Sequence, residues 1–128
     1  MKTGVQPRTR QIVLERDQHT CQRCGRYVGP FGDFSVHHRA PRGMGGSKDP
    51  AINLPANLIV LCGSGTTGCH GHVESNRREA EEQGFIVRRG LVPAYQPLLT
   101  YAGWVRLDND SGKREAFGPG DLRPEEPA

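Results

Sequence analysis

Hydrophobic and polar positions change rhythm several times along this chain, and each change marks an element. In DFSVHHRA, Phe34 and Val36 alternate with polar neighbours and Pro41 closes the segment, which predicts a strand. NLIVLC, residues 57–62, is a short unbroken apolar run and reads as a buried strand. Between them, PRGMGGSKDPAINLPA has loop composition. CHGHVESNRREAEEQG then predicts one helix, stopped at Gly84.

Upstream, QPRTRQIVLERDQ predicts a short helix that opens near Pro7 and offers Ile12 and Val13 as its apolar residues. Downstream, FIVRRGLVP fits a short strand or an extended segment. YAGWVRLDNDSGKREAF predicts a hairpin, with Tyr101, Trp104, Val105 and Leu107 ahead of an Asn-Asp-Ser-Gly turn. The expected architecture is a small α+β fold. Residues 1–90 form the main unit, 91–117 a carboxy-terminal extension, and 118–128 a tail of disordered composition.

Composition changes that picture in one respect. Only 34% of the 128 residues are hydrophobic, with 17 Gly and 10 Pro, so the apolar supply is thin and something besides burial is expected to hold the fold. The net charge of +3 is uneven: nine Lys/Arg stand against four Asp/Glu over residues 1–50, four against four over 51–100, and four against six beyond. A basic first half suits a phosphate-bearing partner, although such an excess is common in proteins without one. MKTGVQPRTRQ lacks the apolar core of a secretory signal, and no stretch approaches the about 20 apolar residues that span a bilayer. The expectation is a soluble, cytoplasmic protein without a membrane partner.

In a reducing compartment, four cysteines need an explanation other than disulfides. Cys21 and Cys24 are spaced C-x2-C, Cys62 and Cys69 C-x6-C. Two such pairs can supply the four thiolates of a structural zinc, on the order of 10 kcal/mol of folding free energy in small domains. The second spacer, GSGTTG, is long, and its glycines allow it to loop out between the sulfurs. A further oddity is His37-His38: in an extended strand, neighbours leave on opposite faces, so the two rings are expected to do different work.

Taken together, Cys21-x2-Cys24, His37-His38, Asn57-Leu58 and Cys62…Cys69-His70 resemble the HNH endonuclease family in its zinc-stapled, phage and prophage form. The resemblance covers about residues 7–90. It implies a ββα-metal finger built on the cysteine zinc, with the amino-terminal helix and carboxy-terminal hairpin as additions. Role by role, it implies that His38 is the general base toward water, that Asn57 orients the His38 ring through its backbone or its side chain, and that His37 and His70 hold one divalent catalytic ion (Mn2+, Ni2+, Co2+, Mg2+ or Zn2+). His72 and Glu74 are further candidates for that ion's shell, and Asn53 is a rival to Asn57. Arg39, Arg42 and Arg77 are candidates for phosphate contact with DNA. The implied partners are DNA and, in a phage setting, terminase or other packaging proteins in the host cytoplasm. The competing expectation is a non-catalytic zinc-ribbon module that binds DNA or protein.

Overall fold

The computed structural model describes residues 5–29, 32–41, 50–110 and 112–116. Helix α1 spans Pro7–Arg16, with proline in its first turn where no intrahelical N–H is needed. Its fully buried residue is Val13. At its end the Arg16 guanidinium grips the Asp17 carboxylate through Nε (2.8 Å) and Nη2 (2.9 Å), and also donates to the carbonyls of Pro55 and Leu58. Asp17 in turn accepts the Val60 amide at 3.0 Å. These bonds staple the end of α1 to the strand over Leu58–Cys62 and the turn before it.

Strands β1 (Phe34–His38) and β2 (Leu58–Cys62) form an antiparallel pair in which His37 lies opposite Ile59 and His38 opposite Leu58. Every residue of β2 is buried, which explains its continuous apolar run: with α1 and α2 both packed on it, neither face meets water. Two 3-10 turns, Pro50–Asn53 and Pro55–Asn57, lead into β2.

Two helices, α2 (Gly68–Ser75) and α3 (Arg77–Gln83), replace the single predicted helix. The chain breaks at Asn76, whose backbone turns to φ −128° and ψ 60° while its side chain donates to the His72 carbonyl. An asparagine offering a local hydrogen bond competes with helix continuation, and here it wins. Gly84 caps α3 in the left-handed conformation, φ +85°.

FIVRRGLVP is not a strand. The second sheet is β3 (Leu98–Thr100), β4 (Gly103–Leu107) and β5 (Lys113–Glu115), an antiparallel meander. The β4–β5 hairpin matches the sequence expectation, and β3 is an addition to it. Leu98 and Leu107 join the same core as Val13, Leu58–Leu61, Val73 and Phe85. Lys113 reaches back to Gln22 Oε1 and to Asp17 Oδ1 (3.3 Å), so the extension is tied to the rest of the fold by packing and by charge. The fold is α+β. Arg42, the GMGGS loop and the 118–128 tail lie outside the described residues. No helix among the described residues is long and apolar enough to cross a membrane.

Candidate metal centres

The four cysteines converge. Their sulfurs lie within 4.8 Å of one another, positioned as a metal site consistent with structural zinc. Cys24 Sγ and Cys62 Sγ are 3.9 Å apart, close to the about 3.8 Å edge of a tetrahedron with 2.3 Å Zn–S bonds and far from a disulfide's about 2.0 Å. Backbone N–H groups already point at the sulfurs: Cys24 N donates to Cys21 Sγ (3.5 Å) and Cys69 N to Cys62 Sγ (3.4 Å). Burial opposes the Cys21 thiolate, but amides of Cys24, Cys62 and Arg23 outweigh it and lower its pKa. Cys69 goes the other way: burial, with the neighbouring sulfurs, pushes its thiol up to about 12. Four sulfurs so close cannot all ionise without a cation among them.

The long C-x6-C spacer is compatible with this geometry because it closes on itself. Ser64 N donates to Thr67 O (3.1 Å) and Thr67 N to Ser64 O (3.2 Å), while the two hydroxyls pair at 2.9 Å. Gly63 (φ +85°) and Gly68 (φ +61°) form the neck; a Cβ on Gly63 would sit 2.1 Å from the Thr67 carbonyl oxygen. The exposed residues 65–68 therefore loop out while the flanking cysteines stay together.

One peptide beyond Cys69, the second centre begins. His37, His70 and Glu74 bring one donor atom each within 4.8 Å of the others. His37 is 3% exposed, and its Nε2 lies 2.8 Å from the Phe85 carbonyl oxygen. A carbonyl only accepts, so Nε2 carries the proton and Nδ1 the lone pair. That Nδ1 stands 3.7 Å from Glu74 Oε2, and His70 Nε2 stands 3.7 Å from the same oxygen. The rings of His37 and His70 meet edge to face, centroids 5.0 Å apart. Bonds of about 2.1 Å to a metal give ligand-to-ligand edges of about 3.0–3.4 Å, so the two 3.7 Å edges to Glu74 stand slightly wider than those of a bound ion's shell.

Burial favours the neutral form of both imidazoles. Burial holds His37 neutral, its pKa pulled down to about 3, with the opposing bond to Phe85 outweighed. Burial also lowers the pKa of His70, against the pull of Glu74. His70 Nδ1 is buried without a hydrogen-bond partner among the described residues. Helical geometry explains the donor set: Glu74 follows His70 by four residues and so returns to the same face. Its other oxygen accepts from Arg77 Nη1 at 2.9 Å, which aims Oε2 at the imidazoles. Val36, His37, His38, Pro41, His70 and Glu74 border an open cleft of about 210 Å³ over this centre.

Several sequence expectations change. His38 is half-buried at the cleft edge, and its Nε2 lies 2.8 Å from Asn53 Oδ1. Asn57 does not hold the ring through its side chain, which instead accepts from Ala40 N (2.7 Å) and donates to the carbonyls of Ile52 (2.8 Å) and Ala40 (3.2 Å). Its backbone carbonyl accepts the Arg39 amide at 2.8 Å. Asn57 thus pins both ends of the β1–β2 connection, and Asn53 takes the place next to the ring. Asn57 opens the strand, so its side chain is spent on the turn it closes.

Arg39 is likewise no DNA contact. It is fully buried, its guanidinium donating to the carbonyls of Gly84, Ala56, Pro93 and Gln96 at 2.8–3.1 Å. Burial lowers its pKa to about 9, which leaves it charged at neutral pH. His72 is turned from the second centre to Glu79 Oε1, 2.8 Å away. Arg77 is half exposed and committed to Glu74. Sequence reasoning missed the Phe85 carbonyl behind His37 altogether, since nothing in FIV announces which carbonyl a fold will aim at a ring. In comparisons with protein-family models, with curated proteins and with solved structures, the chain has no match.

Proposed function

We propose that the finger is a metal-dependent endonuclease of the HNH type, hydrolysing phosphodiester bonds in DNA. The observation that carries this reading is the convergence of His37 Nδ1, His70 Nε2 and Glu74 Oε2 beneath a cleft that also exposes His38. Three protein donors facing an open cleft are the pattern of a reactive ion, whereas four sulfurs make a closed, structural one. A divalent ion held by these donors would supply Lewis-acid neutralisation of charge developing on the scissile phosphate.

The chain's own residues supply the remainder. The amide oxygen of Asn53 accepts a hydrogen bond, so His38 Nε2 carries its proton and Nδ1 has the lone pair that takes a proton from the attacking water. Phe85 fixes the tautomer of His37, and Arg77 fixes the carboxylate of Glu74. Arg39, immediately after His38, locks the end of β1 to four carbonyls and so fixes where the base stands. It is a positioning residue and touches no substrate.

Plasmid cleavage across a metal series is the test. Two imidazoles favour Mn2+, Ni2+ or Co2+ over Mg2+. His38→Ala is expected to keep its zinc and its DNA affinity while losing about a hundredfold or more in rate, the scale of a lost general base. If wild type cleaves nothing with any ion, the nuclease reading fails and the zinc-ribbon binding module is left.

A further inference from the structure

Beside the histidine cleft, and sharing Pro41 with it, lies a larger cavity of about 310 Å³. Ile52, Ile86, Leu91 and Pro93 give it apolar walls, and Arg77, Arg88 and Arg89 stand at its lining with one acid, Glu81. The three cations are not equivalent. Arg77 is bonded to Glu74 of the metal-binding set. Arg88 Nε is 4.0 Å from Glu81 Oε1, an exposed and therefore weak pairing. Arg89 is exposed and has no hydrogen-bond or ion-pair partner among the described residues. Arg88, Arg89, Leu91 and Val92 are all exposed, so this loop presents cationic and apolar groups together.

Apolar walls under a cationic rim suit a ligand with a flat, weakly polar body and an attached anion. The volume lies at the lower end of the about 300–1,000 Å³ typical of small-ligand sites, which admits one nucleotide and excludes a double helix. A base held in a duplex stays in its stack. An unpaired base can leave it, lie against aliphatic walls and guanidinium planes, and place its phosphate on the arginines. Pro41 lines both sites, and Arg77 of the cavity is bonded to Glu74 of the cleft, so the two sites are direct neighbours.

We infer that this cavity takes an unpaired nucleotide of DNA or RNA, next to the phosphate lying in the histidine cleft. The inference rests on the nucleic-acid reading of that cleft, and it names the substrate class: strands with unpaired nucleotides over continuous duplex.

Fluorescence anisotropy with the zinc-loaded full chain and no added second ion measures this without cleavage. The probes are one labelled sequence as single-stranded DNA, single-stranded RNA, blunt duplex, and duplex with one unpaired nucleotide. At least one unpaired form is expected to bind about fivefold or more tighter than blunt duplex, the scale of one base contact, and the stronger of DNA and RNA names the source. Leu91→Glu and Arg89→Ala alter exposed residues outside the core and outside the metal sets. Each should remove that preference without changing the melting temperature or duplex affinity, and Arg89→Ala should reduce the log–log salt slope for single strands by about 0.7.

Equal affinity for all four probes, or variants that weaken every probe alike, would overturn the inference. A chain that shows the preference and cleaves nothing keeps it and loses the nuclease. A chain that cleaves duplex without any preference does the reverse.

Discussion

At the scale of single residues, His37 shows how one side chain is made ready by its surroundings. The Phe85 carbonyl selects the tautomer, burial suppresses the charge, and the lone pair is left facing Glu74 and His70. Its depressed pKa has a consequence for folding. Between the ordinary imidazole value of about 6.5 and the folded value of about 3, the unfolded chain binds a proton that the folded chain does not. Stability is therefore full above pH 6.5 and falls as pH drops through this window, by up to about 1.4 kcal/mol per pH unit from this group. Urea denaturation of wild type and His37→Gln between pH 7 and pH 5 checks it: the variant's stability should depend on pH less steeply by about that amount.

Arg39 is the contrasting residue. An arginine after two histidines reads as a surface cation, and the sequence holds no sign that carbonyls from positions 56, 84, 93 and 96 will meet around it. Burial of a charge is decided by tertiary convergence, which local pattern does not encode.

Among elements, the knuckle loop between Cys62 and Cys69 carries the sharpest expectation. Gly63→Ala would drive a Cβ to 2.1 Å from a backbone oxygen at φ +85°. It should cost about 1–3 kcal/mol in backbone strain and weaken zinc binding at least about tenfold in chelator competition, since the loop neck sets the spacing of two sulfurs. Legibility follows the same division between local and non-local causes. The strands, the amino-terminal helix and the β4–β5 hairpin were readable because alternation, Pro7 and the Asn-Asp-Ser-Gly turn act locally. So were the C-x2-C pair and the neighbouring His37 and His38. The break at Asn76 was hidden inside a helix-favouring stretch. The exchange of Asn57 for Asn53 beside His38 depended on how two 3-10 turns fold, and β3 has only three residues, whose pairing with β4 is a tertiary contact that no local pattern marks.

For the whole molecule, a thin core and a closed sulfur centre belong together. The buried set is drawn from α1, β2, α2, α3, the segment after α3 and the second sheet, and Cys21, Cys62 and Cys69 lie within it while Cys24 is exposed at its edge. Zinc removal by a strong chelator is expected to abolish cooperative unfolding, because an ion worth on the order of 10 kcal/mol exceeds what so few apolar residues can supply alone. Near-ultraviolet circular dichroism through a melt, with zinc stoichiometry by elemental analysis, checks this; a stripped chain that still melts cooperatively at the same temperature would contradict it.

Cys69 and His70 are consecutive on α2, one facing the sulfurs and the other the imidazole and carboxylate. A single residue inserted between them would swing every later side chain about 100° around the helix axis. Length variation is thus tolerable inside GSGTTG but not one step further on, and the stretch from Cys62 to Glu74 can be transplanted to another scaffold only as an undivided block.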